Sequence, residues 1–216
     1  MKPSVRDIFS SEFGTAKLWL RQDLEVITKE CLLFGISPEV WSAVMFPHMM
    51  IYALLKDNLY NEDDRNLYII GGAVTADVEA GPYHIRPSTA EILEADWLAY
   101  QRENPVPIVL FEEYYEDITE ERRMRIERLN KRLWQIRYGC IYLTLLKWRF
   151  PEYELNSIEE EIQFFASGIS LAPSPDLDRI IKGFDGIWFP FGLGNKGNVC
   201  SFFDVSMEYY NDLVRK

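Results

Sequence analysis

His48 and His84 are the two histidines in a chain of 216 residues, and imidazole is the side chain that most readily gives or takes a proton near neutral pH. His84 stands in "GPYHIRPSTAE", residues 81–91, between a Gly-Pro turn and a helix start. Asp77 and Glu79 come just before that turn. An imidazole with a carboxylate can act as an acid–base pair, and two imidazoles with a carboxylate are a common metal-ligand set. The spacing of residues 48, 77, 79 and 84 carries no metal signature, so neither a metal nor a cofactor is expected. For each histidine a hydrogen-bonded structural role stands beside the chemical one.

The elements that would position these residues are mostly helices. Leu20, Leu24, Ile27 and Cys31 step by four, three and four, forming one apolar face that stops at Gly35. Ser37 and Pro38 then read as an N-cap and first helical residue, opening a helix to about Leu59 with Pro47 just before His48. Residues 67–80, "LYIIGGAVTADVEA", allow short strands or a folded loop. Ser88 with Glu91 matches a capping box, which places His84 in the loop ahead of a helix carrying Trp97.

After "NPVPI", residues 104–108, the periodicity predicts one long helix through Ile126, Leu129, Leu133, Ile136, Cys140 and Leu143, stopped by Pro151. Its other face holds Arg122, Arg123, Arg125, Arg128, Lys131, Arg132 and Arg137 among glutamates. A solvated face with intrahelical pairs is the plain reading, and a docking surface for an acidic partner is the alternative. Ser157 with Glu160 caps another helix, residues 183–200 form a glycine-rich aromatic loop, and "DVSMEYYNDLV" makes a last short helix. The class expected is mainly α, one domain over residues 1–216, with a small β-hairpin or irregular loop region.

A formal charge of −11 excludes a nucleic-acid or anionic-membrane surface, both of which need a basic footprint. Cys31, Cys140 and Cys200 are odd in number and far apart, so buried free thiols are expected. No opening run has signal-peptide length, and none approaches the roughly 18 apolar residues of a membrane span. The chain as written is therefore expected to start out in the cytoplasm, with delivery to the periplasm as the alternative.

Three segments in order resemble the lysozyme-like superfamily, particularly bacterial lytic transglycosylases and an uncharacterised group from the Bacteroidetes. "ISPEVWSAVMFPHMMIYALLKD" resembles the helix that ends in the catalytic glutamate; "GPYHIRPSTAEI" resembles the glycine, glutamine and proline segment; "IQFFASGIS" resembles the helix with an alanine-rich turn followed by tyrosine and asparagine. The resemblance covers about residues 36–170 and implies a lysozyme-like fold, with residues 171–216 as an extension packed on it. It implies a cleft for peptidoglycan or a related glycan. On this alignment the general-acid glutamate falls at His48, the glutamine at His84, and the tyrosine-asparagine pair at Ile169 and Ser170.

Glycosidic cleavage needs a proton on the leaving oxygen and stabilisation of an oxocarbenium-like centre. A protonated His48 would set a cation beside a developing cation. The expectation is a glycan cleft with impaired or lost catalysis, with Tyr52, Asp77, Tyr83, His84 and Ser170 as substrate contacts and Trp97 and Trp188 as further aromatics. One alternative is an active muramidase or lytic transglycosylase using a relocated acid; Glu79 is the best placed, with Asp77 and Glu39 behind it. The other is an interaction protein of a bacterial envelope or secretion machine, engaging a protein partner through the Arg-rich helix or the aromatic loop near 183–195.

Overall fold

The structure is a computed structural model that describes residues 4–55, 62–104, 106, 108, 110–111, 115–171, 175–191 and 197–215. In chain order the helices are α1 (Val5–Ile8), α2 (Ser10–Leu33), α3 (Pro38–Leu54), α4 (Glu62–Gly71) and α5 (Pro87–Glu103). They continue with α6 (Ile118–Leu129), α7 (Arg132–Arg149), α8 (Ile158–Leu171), α9 (Leu177–Gly183) and α10 (Phe202–Val214). Strand pairing among the described residues is confined to two isolated bridges, Ala80 with Ile85 and Phe189 with Cys200. The mainly α single-domain expectation holds, and the region before α5 is an irregular loop.

Helix α3 is the centre of the molecule. Gly35, at φ +66°, ends α2 in the left-handed region, and the Ser37 hydroxyl accepts the Val40 N–H at 3.3 Å to start α3. Val40, Trp41, Val44, Met45, Phe46, Met49 and Met50 are apolar around the whole circumference, so no face can be left to water. Helices α2, α7, α8 and α10 cover it. The helix runs through Pro47, whose missing N–H leaves the Ala43 carbonyl without its usual partner. Phe202, Val205 and Tyr209 of α10 join the same core, and α9 packs on α8.

Four local expectations are corrected. Residues 67–71 belong to α4, because Tyr68 turns into a satellite core with Ala76 and Ile126. The capping box at Ser88 and Glu91 does not form, because Ser88 is held by Asp77 and Glu91 accepts the Tyr68 hydroxyl at 2.7 Å. The long helix is broken: Lys131 is extended, so α6 and α7 meet at a corner after Asn130. Leu133 and Leu24 point outward, 37% and 46% exposed, while their periodic partners are buried. Of the aromatic loop at 183–200, residues 192–196 lie outside the described residues, as do residues 56–61, to which the expectation of a helix as far as Leu59 extends.

The arginine face departs furthest from its plain reading. Arg125 and Arg128 are 3% and 6% exposed, turned inward onto Glu94 of α5. Arg125 donates to Glu94 through Nε and Nη2 at 2.9 and 2.8 Å, and Arg128 donates to its other oxygen at 3.1 Å. The Tyr138 hydroxyl also donates to Glu94, and the Arg125 Nη1 reaches the Tyr68 oxygen at 2.7 Å. Arg122 is spent on the Ile70 carbonyl at 3.1 Å. The expected intrahelical pairing is seen among the described residues at Glu121 with Arg125, 2.5 Å apart. A docking surface built on Arg125 and Arg128 is thus excluded by their burial.

Removing one partner of a buried ion cluster strands the others without solvent. Glu94→Ala is expected to lower unfolding stability by about 3 kcal/mol or more, and Arg123→Ala, at an exposed position of the same helix, by less than about 0.5 kcal/mol. Urea unfolding followed by circular dichroism checks both, and comparable small losses would show that the cluster contributes little.

Candidate functional site

The turn that carries His84 is built by its neighbours. Gly81 has φ +63°, and a Cβ there would lie 1.7 Å from the Gln135 amide nitrogen, so only glycine fits. The Gln135 Nε2 donates to the Leu129 carbonyl at 2.5 Å, an acceptor exposed by the corner between α6 and α7. Its oxygen accepts the Tyr83 N–H at 3.4 Å. The Tyr83 ring packs edge-on against Trp41 of α3, and its hydroxyl donates to Asp23 of α2 at 3.3 Å. The His84 N–H closes the turn on the Gly81 carbonyl at 3.2 Å. His84 itself is left at φ +54°, a left-handed conformation unusual for a residue with a β-carbon.

His84 and His48 line one cleft of about 620 Å³. Its walls come from α3 (Met45, His48, Ile51) and Leu55 just after it, the loop from Asp77 to Arg86, and the first turns of α5. Tyr138, Gly139 and Tyr142 of α7 form another side, with Ile169 and Ser170 of α8 and Phe191 completing it. Gly139 is a close approach: Trp41 Nε1 would stand 2.8 Å from a Cβ at that position.

Glu79, Arg86 and the two histidines define the electrostatics. Glu79 Oε2 meets His84 Nδ1 at 2.5 Å, and Oε1 accepts from Arg86 Nε and Nη2 at 3.3 and 3.2 Å. Burial alone would raise the Glu79 carboxyl, but the hydrogen bond and electrostatic attraction from His84, together with Arg86, outweigh it and hold it below the usual carboxylate range. His48 is pushed down to about 4 by burial and by the neighbouring His84, against the attraction of Glu79. Each histidine has an enclosed Nε2 with no hydrogen-bond partner among the described residues.

The other predicted contacts divide. Asp77 lines the cleft, but both its oxygens are committed: Oδ1 to the Ser88 N–H at 2.8 Å and Oδ2 to the Ser88 hydroxyl at 2.6 Å. It does the capping of α5 that Arg86, the N-cap residue, cannot. Ser170 also lines the cleft, its hydroxyl donating to the Ser167 carbonyl at 2.8 Å. Tyr52 does not line it. It stands across the His84 ring, 5.9 Å between centroids, in a smaller depression of about 470 Å³ with Trp19. Trp97 is a core residue, 1% exposed, against Phe34 and Tyr100. Glu39 pairs with the Ser37 hydroxyl at 2.7 Å at the far end of α3, and Trp188 packs over Gly186; neither lines the cleft.

Sequence reasoning did not select Arg86, Tyr138, Tyr142 or Phe191. Tyr138 and Tyr142, four apart with Gly139 between, are a legible helical stripe once α7 is given its own start. Among the described residues no group of three or more histidines, cysteines or acids could hold a metal ion, and no helix is long and apolar enough to cross a membrane. Cys31, Cys140 and Cys200 are buried and form no disulfide, the first two with their sulfurs 3.9 Å apart.

The depressed His48 value has a signed consequence. Its folded pKa lies below that of the unfolded chain, so the unfolded state binds the extra proton first, and stability falls as pH drops from about 6.5 towards 4. Between pH 7.5 and pH 5 wild type should lose about 2 kcal/mol that His48→Gln does not lose. Urea unfolding of both proteins at the two pH values checks this, and parallel pH profiles would refute it.

No known protein family, curated protein or solved structure matches this chain.

Proposed function

We propose that the chain is a glycan-binding protein whose cleft resembles that of lysozyme-like enzymes and lacks the acid that cleavage requires. The reading is supported chiefly by one observation: His48, His84, Ile169 and Ser170, the positions that the alignment with lysozyme-like proteins assigns to the cleft, line the same cavity of about 620 Å³. That volume suits a ligand of a few sugar rings, and its mixture of apolar side chains with a small number of polar groups is what such sites use.

The loss of catalysis follows from proton placement. A general acid must hold its proton at working pH and release it to the leaving oxygen. Glu79 is held as a carboxylate by His84 and Arg86, the opposite of the apolar pocket that keeps a catalytic glutamate protonated. Asp77 is tied at both oxygens to Ser88. His48 is neutral at pH 7 and so has no surplus proton to deliver. The relocated-acid enzyme built on Glu79 therefore has the weaker chemical case. The ligand class we propose is peptidoglycan or a related N-acetylated glycan.

Sedimentation with purified peptidoglycan sacculi should remove the protein from solution saturably, while chromatography of the supernatant detects no released muropeptides between pH 5 and pH 8. Release of muropeptides that Glu79→Gln abolishes would instead establish the enzyme, and failure to bind would remove the glycan reading.

A further inference from the structure

The pairing of His84 with Glu79 specifies more than a place in the cleft; it sets which ring nitrogen carries the proton. Glu79 offers Oε2 to His84 Nδ1 at 2.5 Å while Arg86 occupies its other oxygen. A carboxylate can only accept, so the proton of this contact belongs to Nδ1. In the neutral ring Nε2 is then a bare lone pair. The side chain is 3% exposed, and Nε2 has no partner among the described residues. A buried acceptor without a donor is an unusual feature in a folded protein and asks for the group that completes it. The backbone at His84 adds to this, because a left-handed φ of +54° is kept only where the surroundings enforce it, and such strain gathers at functional positions.

We propose that His84 Nε2, with its tautomer locked by Glu79, is the acceptor for a hydroxyl of the bound ligand once the side chains that enclose it part, and that His48 Nε2 on α3, enclosed likewise, serves as a second contact for the same ligand. This rests on the glycan reading of the cleft and names the chemistry by which it recognises its ligand. A sugar hydroxyl both donates and accepts, so one ligand can satisfy the lone pair of His84 and whichever form His48 Nε2 presents. An ammonium group fits less well. Met45, Ile51 and Leu93 line the same space, and Arg86 stands on Glu79, so a ligand cation would be stripped of water beside a guanidinium. Glu79 is by this account a positioning residue, acting on the ligand only through the ring it orients.

The test joins a spectroscopic measurement to a binding one. Long-range ¹⁵N–¹H spectra of the full chain labelled at histidine should show His84 with Nδ1 protonated and Nε2 bare at pH 7.5. A protonated Nε2 overturns the proposal, and this measurement needs no variant. Titration calorimetry with tri-N-acetylchitotriose should show binding to wild type that His84→Ala and Glu79→Leu each weaken by about tenfold or more, while Glu39→Gln, outside the cleft, leaves it unchanged. Glu79→Leu should also let the His84 proton move to Nε2. Binding that is equal in wild type, His84→Ala and Glu79→Leu overturns the proposal while the glycan reading survives. Absence of binding to wild type ends the glycan reading and the hydroxyl assignment with it, even where the Nδ1–H tautomer is observed. Tighter binding of the de-N-acetylated trimer, which carries ammonium groups, also overturns the hydroxyl assignment.

Discussion

The side-chain amide of Gln135 holds together three parts of the chain that share no sequence. Its nitrogen closes the Leu129 carbonyl at the end of α6, its stem belongs to α7, and its oxygen takes the Tyr83 N–H in the turn before α5. Gly81 passes so close to that amide that any β-carbon would overlap it. The corner between α6 and α7, the left-handed backbone at His84 and the position of the cleft loop are therefore one arrangement. An uninterrupted helix through residue 131 would give Leu129 a helical partner and leave the Gln135 amide with nothing to bind, and the loop would lose its anchor.

Charge is distributed in a way that the net value conceals. The chain is strongly acidic, yet its most enclosed charged cluster turns two arginines onto one buried carboxylate, Glu94, which also accepts the Tyr138 hydroxyl. The cleft uses the same device on a smaller scale, a carboxylate between a ring nitrogen and a guanidinium. In both places the anion is fixed by donors on several sides, which suits orientation better than proton transfer.

What could be read in the sequence was local. Gly35 as a stop, Ser37 and Pro38 as a start, Ser157 as a cap and the apolar girth of α3 all follow from nearest neighbours, and the Glu160 N–H does donate to the Ser157 hydroxyl at 3.1 Å. The two histidines do line one cleft, but tertiary packing of α3 against the loop before α5, and no local signal, brings them there. The failures share a cause: the deciding partner is remote in sequence. Arg125 and Arg128 look solvated until Glu94 is placed opposite them. Ser88 looks like half of a capping box until Asp77 arrives from the loop. Tyr52, one turn beyond His48, falls on the other side of the His84 ring because the cleft stripe runs through His48 and Ile51 of α3 to Leu55 at its C-cap. The corner at Asn130 had one visible signal, an asparagine at a helix end, which an otherwise faultless periodicity concealed.

The apolar girth of α3 also dictates when the molecule can become itself. Residues 38–54 are made early, and α2 is beside them at once, but α10, which shields another flank, begins only at Phe202. During synthesis a greasy rod must wait, half clothed, while most of the polypeptide is still being added. Closure of the interior is thus a late, long-range event, and the nascent protein passes through a stage in which its future centre is a surface for chaperones or for unwanted association.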